Sequence, residues 1–255
     1  MPHWSLRRAF AGNGTNAGKT AERLSWTQAV ANMPSQGLKD TLLKQAGVTA
    51  TTRNEKEAEG WKVVAYLLGD DNYQKGKFRG RERGMGQIIN SNPVYIGAAT
   101  NQGYTMLPTH MTCASCGEGK TLATMYRDYL KNTGTATSKV HRNRKPVVMV
   151  GSNDGFLHAF DAKSGNEVFA YTPYAVLKEM ARLSSKNVKD ERLLMDGPLV
   201  EADAFMGDQW RNFLVGTTGA GPAAVFALDV SDTSTNGLNE KALKWELDQS
   251  RDAEL

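Results

Sequence analysis

The stretch of residues 147–172 constrains the fold of this chain most, because it consists of three short apolar segments separated by two turn signals. Residues 147–150 are apolar and mostly β-branched, which is typical of a strand buried on both faces. A turn is predicted at residues 153–155, where Asn and Asp can bond their own backbone and Gly tolerates a positive φ. A second turn is predicted at residues 161–166. The stretch therefore predicts three short strands joined by tight turns.

The same order of signals returns later in the chain. Residues 212–219 match the first strand and turn, residues 225–230 match the second strand, and residues 243–247 match the last. Residues 93–99 match the first strand and turn less well and are a third, weaker start of the repeat. Repeats of short strands predict a solenoid or a propeller, and this pattern resembles the quinoprotein-type blade. An all-β meander of another kind is the alternative. The residues expected to shape the blade turns, in structural roles, are Gly151, Asn153, Asp154, Gly155, Asp161, Gly165, Gly216 and Asp229.

The fold class predicted from these repeats is mainly β with helical insertions, as an incomplete quinoprotein-like β-propeller of which about three blades are covered. A propeller typically closes with about 4–8 blades, so we expect this chain to be a fragment. An end blade with an unpaired edge predicts that the chain alone is unstable or associates. The first residues lack the apolar stretch of a secretory signal, which fits either a fragment or a cytoplasmic protein.

Charge and hydropathy argue against nucleic-acid binding and against a membrane-spanning segment. The chain has 31 Lys and Arg against 27 Asp and Glu, a net charge of +4, which is too mild to indicate nucleic-acid binding. No apolar run approaches the roughly 20 residues of a membrane span.

Helical periodicity predicts insertions between the strands. One helix is expected at residues 37–46, another at residues 57–68 after a capping box at Asn54 and Glu57, and a third around residues 122–130. A further helix is expected after Pro173.

Two domains are predicted along the chain. Residues 1–60 are expected to form a loose N-terminal segment with short helices, and residues 61–255 to form the N-terminal part of the propeller.

Cys113 and Cys116 form the chain's one Cys-x-x-Cys motif. Gly117 follows where covalent haem attachment needs His, so that role is excluded. A local disulfide is the favoured interpretation in an exported protein. Inert or reactive thiols, a zinc site completed by His110 and His141, and redox chemistry are the alternatives.

Other polar residues favour structural roles over catalysis. His158 lies between two Phe residues of one strand and is expected to be a packed histidine that bonds a neighbouring blade. No calcium loop, nucleophile motif or dinucleotide fingerprint occurs in the sequence. A basic cluster is expected to be a solvated loop that pairs with acids, with phosphate binding as the alternative; its members are Lys75, Lys77, Arg79, Arg81 and Arg83.

Several segments together resemble the PilC/PilY family of type IV pilus tip-associated adhesins and biogenesis factors. The resemblance spans about residues 61–255, and the segments occur in the same order as in the family. Gln87 departs from the family's usual Asp, and residues 218–222 form a looser version of its Gly-rich turn. The segments that carry the resemblance are residues 85–97, 148–161, 169–173, 196–198, 202–205, 210–216 and 225–230.

The resemblance implies a non-catalytic protein at the pilus tip or outer membrane of a bacterium, which supports pilus biogenesis and adhesion. Its partners would be pilins or minor pilins, the pilus machinery, and host or abiotic surfaces. No cofactor is expected in this segment, because the family's calcium loop lies later in the propeller. The alternatives are a quinone-dependent dehydrogenase of quinoprotein type and a scaffold for outer-membrane assembly.

Overall fold

The computed structural model describes residues 3–13, 21–24, 36–70, 77–81, 84–117, 119–131, 143–187, 192–249 and 252–254. Within these ranges, the helices are too short or too polar to cross a membrane. The strands are β1 Ala9–Gly12, β2 Ala21–Arg23, β3 Val94–Ile96, β4 Val147–Gly151, β5 Leu157–Asp161, β6 Glu167–Thr172, β7 Leu199–Met206, β8 Gln209–Thr217, β9 Ala224–Asp229 and β10 Leu243–Asp248. The α-helices are α1 Gln36–Gln45, α2 Arg53–Leu68, α3 Leu122–Lys131 and α4 Tyr174–Met180.

The strands form two sheets with the same internal order. In the first sheet β3, β4, β5 and β6 pair antiparallel in sequence order, and in the second β7, β8, β9 and β10 do the same. The first sheet is widened by β1, which pairs parallel with β6, and by β2 beyond it. The predicted repeat is thus present strand for strand: β4, β5 and β6 correspond to β8, β9 and β10.

The third, weaker start of the repeat, at residues 93–99, does not begin a separate blade. Val94 pairs with Met149 and Ile96 with Val147, so β3 is the first strand of the first sheet. A long insertion separates β3 from β4 in sequence, and for this reason the strand looked like an isolated repeat. Strand β7, its counterpart in the second sheet, was not predicted.

Two of the predicted helices, α1 and α3, lie where the periodicity placed them. Helix α4 also follows Pro173 as expected, and a 3₁₀ turn, Ala181–Ser184, continues it. The capping box of α2 is formed by Thr52 and Glu55, so the prediction of Asn54 and Glu57 is wrong.

The cap of α2 is set by backbone geometry. Thr52 has an extended backbone, and its side chain accepts a hydrogen bond from the Glu55 N–H. The Glu55 carboxylate accepts bonds from the Thr51 and Thr52 N–H groups, which lower its pKa to about 2. Gly69 ends the helix with φ 104°, a left-handed cap that favours glycine.

The first sheet lies between two apolar layers. On one side α1, α2 and α4 pack against it through a core that includes Leu42, Tyr66 and Leu177. On the other side the two sheets share a core that includes Met149 and Phe226. The predicted domain boundary at residue 60 stays a prediction; α2 runs through that position, and β1 is buried within the first sheet.

Candidate interaction surface

The insertion, here the described residues of 97–131, separates β3 from β4 in sequence and packs on the second sheet. It contains a 3₁₀ turn, Tyr104–Met106, and helix α3. Trp210 of β8 anchors it: the indole Nε1 donates to the Leu122 carbonyl at 3.1 Å, and the ring lies 4.6 Å from that of Tyr126 and 4.9 Å from that of Tyr104. The insertion of one blade therefore rests on the next.

Asp203 of β7 is the polar centre of this contact. Its carboxylate accepts bonds from the hydroxyls of Tyr126 at 2.6 Å and Tyr129 at 3.1 Å, and from Asn212 Nδ2 at 2.8 Å. Its N–H donates to Gln102 Oε1 at 2.9 Å. Burial raises the pKa of both phenols above the usual range, and the hydrogen bond and charge of Asp203 raise the pKa of both further. Both tyrosines therefore remain protonated donors.

Arg144 closes the base of the insertion. Its guanidinium donates to Asn212 Oδ1 at 2.6 Å, to the Val230 carbonyl at 2.7 Å and to Glu201 at 2.8 Å, and its Nε donates to the Gly97 carbonyl. Gly97 directly follows β3, and the other three partners lie in the second sheet or directly after β9. One buried cation therefore ties the start of the insertion to the second sheet.

Cys113 and Cys116 are joined by a disulfide within the insertion. The loop they close is held by a bridge between Thr112 and Thr121, and Cys116 Sγ lies 3.4 Å from the Asp208 carbonyl in the β7–β8 turn. Among the described residues no group of three or more His, Cys, Asp or Glu side chains could hold a metal ion. His141, named for the zinc alternative, lies outside the described residues.

The outer side of the insertion presents apolar side chains to solvent. Met106 is 87% exposed and Met111 38% exposed, and Met206, at the end of β7, is 40% exposed. Exposed thioethers are adaptable in shape and are frequent in recognition surfaces. The arrangement can therefore bind an apolar surface, with a disulfide and an aromatic cluster holding it in place.

The turn residues expected in the first blade lie at its two corners. Gly155 has φ 93° and Gly165 has φ 71°, the left-handed values that favour glycine. Asn153 Oδ1 accepts a hydrogen bond from the Leu194 N–H at 2.9 Å. Asp161 Oδ1 accepts hydrogen bonds from the N–H groups of Lys163 and Ser164. Gly151 ends β4 against Met195, where a Cβ would lie 2.8 Å from the Met195 carbonyl oxygen.

The counterparts in the second blade are placed similarly. Gly216 of β8 packs against Phe226, leaving no room for a side chain. Asp229 ends β9, accepts from the Ser231 N–H at 3.1 Å and pairs with Arg211 at 2.7 Å.

His158 bonds within its own blade, so the expectation of a bond to a neighbouring blade is wrong. Its Nδ1 lies 2.7 Å from Glu167 and its Nε2 3.1 Å from Asp154. Arg7 forms a bidentate pair with Glu167, at 2.7 and 2.8 Å, and its guanidinium lies 4.9 Å from the Phe156 ring centroid. All four charged groups are buried, and Arg7 connects the N-terminal segment to the first sheet.

Two carboxylates decide the charge of this histidine. Burial lowers the pKa of the imidazole, but Asp154 and Glu167 outweigh it and raise the pKa to about 9. Burial raises the pKa of Asp154, and His158 and Arg7 outweigh it and lower it to about 2. Each carboxylate bonds a cation through at least one oxygen, which makes the cluster a structural ion pair network and not an acid–base pair poised near neutral pH.

The described part of the basic cluster is engaged with the protein. Lys77 pairs with Glu59 at the surface. The Arg81 guanidinium lies 3.8 Å from the Tyr66 ring centroid, and the Arg79 N–H donates to the Ser184 carbonyl. Lys75 and Arg83 lie outside the described residues.

The sequence analysis assigned no anchoring role to the two residues that hold the insertion on the second sheet. Arg144 and Trp210 lie far in sequence from most of the groups they bond, so their spacing indicates no such contact. The same holds for Arg7 in the His158 cluster. The repeated Asp and Gly residues were found because they act within their own turns.

Most of this chain is similar to proteins of one known family. The PilY1 beta-propeller domain family matches residues 85–254. The chain is 35% identical over 217 residues to the type IV pilus biogenesis factor PilY1 homolog of Xylella fastidiosa strain Temecula1, covering 82% of this chain and 16% of that protein. It is 32% identical over 261 residues to the type IV pilus biogenesis factor PilY1 of Pseudomonas aeruginosa strain PAK, covering 100% of this chain and 19% of that protein.

A solved structure, the Pseudomonas aeruginosa PilY1 C-terminal domain, matches 63% of this chain and 26% of its own, with 29% identity and a TM-score of 0.38. The chain spans less than one fifth of the length of the curated relatives named above. The family match and the two open, blade-like sheets confirm the predicted fold class of an incomplete propeller with helical insertions, and they confirm the family resemblance. This chain belongs to the PilY1 β-propeller domain family.

Proposed function

We propose that this chain is part of a type IV pilus biogenesis factor that acts without catalysis at the bacterial cell surface, at the pilus tip or outer membrane. The observation that carries the proposal is the match of residues 85–254 to the PilY1 beta-propeller domain, together with relatives that are named type IV pilus biogenesis factors. Its partners would be pilins or minor pilins and the pilus machinery, and it would attach cells to host or abiotic surfaces. We propose no cofactor for this segment and place the family's calcium outside it.

Recognition in this proposal belongs to the insertion. The two sheets provide a fixed base, and the bonds of Asp203 and Arg144 hold the insertion on the second sheet. The exposed Met106 and Met111 therefore lie on an insertion whose position is fixed by contacts with the second sheet. Loops on a rigid scaffold are where binding residues concentrate.

The test uses bacteria that lack their own PilY1-type protein and express the protein that contains this chain. We expect surface pili and attachment to be restored, and minor pilins to be recovered with the protein by pull-down. The double variant Met106→Ser and Met111→Ser should reduce attachment or pilin recovery several-fold. The control Leu6→Ser, which removes an apolar residue that is 69% exposed outside the insertion, should leave both unchanged.

Two outcomes would contradict the proposal. Recovery of outer-membrane assembly proteins without minor pilins would favour the general scaffold. Quinone-dependent reduction of a dye by the purified protein would favour the dehydrogenase.

A further inference from the structure

A groove of about 810 Å³ opens between the first two strands and a loop of the second blade. Phe10 pairs with Arg23 and Gly12 with Ala21, and directly paired residues of antiparallel strands point to the same face. Arg8, two residues before Phe10, shares that face because side chains alternate along a strand. One wall of the groove therefore has an apolar floor and two guanidinium groups. Glu22 also lines this wall, and its Oε1 accepts a hydrogen bond from Asn13 Nδ2 at 3.1 Å.

The opposite wall is the loop before β10. It contributes Thr235, Asn239 and Glu240 to the lining. Arg8 holds this wall in place, because its Nη2 donates to the carbonyls of Thr235 and Leu238, both at 2.7 Å. The groove thus joins two blades and has a fixed width.

The two guanidinium groups are close enough to repel each other. The pKa of Arg8 is lowered first by burial and then by the charge of Arg23, and Glu240 offsets only part of this. The Arg23 side chain is exposed, and its guanidinium makes no hydrogen bond or ion pair with any residue that the structure describes. A planar carboxylate between two such groups would relieve the repulsion and accept paired N–H bonds.

The groove also runs along a sheet edge. Strand β2 is the last in the order of the first sheet, so its outer backbone groups have no strand partner among the described residues. The same sheet already accepts a strand from far away in sequence, since β1 pairs with β6 in parallel register. An extended polypeptide can pair with such an edge through its main chain, which a saccharide cannot do.

We propose that this groove binds an extended acidic polypeptide segment, which pairs with the edge of β2 and places a carboxylate on Arg23 and Arg8. The site goes beyond the pilus role proposed above and does not depend on it, because its elements are the strand edge, the groove and the two guanidinium groups.

The probe is a labelled peptide, acetyl-Ser-Glu-Val-Glu-Val-Glu-Ser-amide, whose binding to the purified chain is followed by fluorescence anisotropy. Matched peptides carry Gln or Lys in place of Glu, and trigalacturonate serves as a carboxylated saccharide. We expect the Glu peptide to bind more tightly than the Gln peptide and to weaken with added salt. Arg23→Ala should weaken it about tenfold or more, and Arg53→Ala, which removes an exposed guanidinium outside the groove, should not.

The variant Arg23→Glu gives the reciprocal test. It should lose the Glu peptide and gain the Lys peptide, while its circular dichroism spectrum stays that of the parent chain. Equal binding of the Glu and Gln peptides, or no loss in Arg23→Ala, would overturn the proposal. Binding of trigalacturonate in preference to the Glu peptide would overturn the polypeptide assignment in favour of a saccharide.

Discussion

At the scale of single residues, the buried network around His158 explains how a short N-terminal segment is held on the first blade. Arg7 donates to both oxygens of Glu167 and to the Leu68 carbonyl, and so joins β6 to the end of α2. Its Nη2 also lies 3.4 Å from His158 Nδ1, but both groups are donors when the imidazole is charged. Glu167 between them offsets that repulsion, so the network depends on every member being present.

Removing Arg7 should be costly for this reason. Arg7→Met leaves the Glu167 carboxylate buried without its bidentate partner, and breaking a buried pair typically costs about 3–5 kcal/mol. We expect the free energy of unfolding, measured in urea, to fall by an amount of this size. Arg53→Met at the surface should change it by less than about 0.5 kcal/mol. An Arg7 variant as stable as the parent would show that the network contributes nothing net.

The same network predicts a dependence of stability on pH. The pKa of His158 is raised from 6.5 to about 9, so its contribution is fully present below pH 6.5 and is lost as pH rises through 9. The pKa of Asp154 is lowered from 3.8 to about 2, so its contribution is present above pH 3.8 and is lost as pH falls through 2.

Thermal unfolding should therefore show the melting temperature falling between pH 6.5 and 9.5, by the equivalent of about 3 kcal/mol at most. His158→Gln should have a lower melting temperature at pH 6 and a flatter profile over the same range. A parent chain whose stability rises from pH 6.5 to 9 would contradict the charged state assigned to the imidazole.

At the scale of elements, the turns at Gly155 and Gly165 connect the strands of the first blade, and the insertion presents the exposed Met106 and Met111. The corner at Gly155 packs under α4, where an added Cβ would lie 2.7 Å from Met180 Cγ. The corner at Gly165 has a left-handed backbone too, but a Cβ there would meet nothing within 4 Å. Both glycines thus allow a left-handed backbone at a turn, but only Gly155 is packed against another element.

This pair gives a matched test of the turn. Gly165→Val should lower the free energy of unfolding by about 1–3 kcal/mol, through backbone strain alone. Gly155→Val should cost the same strain plus about 1–3 kcal/mol for overpacking against Met180. Chemical denaturation of both variants measures the difference. An unchanged melting temperature for Gly155→Val would count against the assigned turn.

At the scale of the whole described molecule, the two sheets are joined by an apolar core and by a few buried polar contacts. Glu246 of β10 accepts from the Tyr174 N–H at 2.9 Å and from the Tyr171 hydroxyl, both in the first sheet or just after it. The Tyr171 ring also lies 5.2 Å from that of Phe226 in the second sheet. One carboxylate therefore fixes the position of β10 against the end of β6.

Changing this carboxylate should weaken the contact between the two sheets. Glu246→Leu removes the acceptor of the buried Tyr171 hydroxyl and of the half-buried Tyr174 N–H, and the loss should cost about 1–3 kcal/mol. We expect lower stability and faster hydrogen exchange in β10 than in β4. Tyr171→Phe removes one donor and should cost less than Glu246→Leu. Equal exchange rates for β10 in parent and variant would show that the apolar core alone holds this contact.

The order of strands and the positions of turns were predictable from the sequence, because each depends on residues a few places apart. Alternation predicted β5, and Asp and Gly at fixed offsets predicted the corners at Gly155 and Gly165. The capping box of α2 was misplaced by two residues, since two overlapping patterns fit and only the extended backbone of Thr52 chooses between them.

What the sequence by itself determined about this protein is the local repeat: short apolar strands, glycine and aspartate corners, and helices inserted between them. The tertiary structure decided the rest. It placed β3 in the first sheet, brought β1 beside β6, and set Arg7, Arg144 and Glu246 against partners more than 50 residues away. The physical reason is that turns and caps are made by neighbours in the chain, whereas buried ion pairs and contacts between sheets require groups that meet only after the sheets have packed.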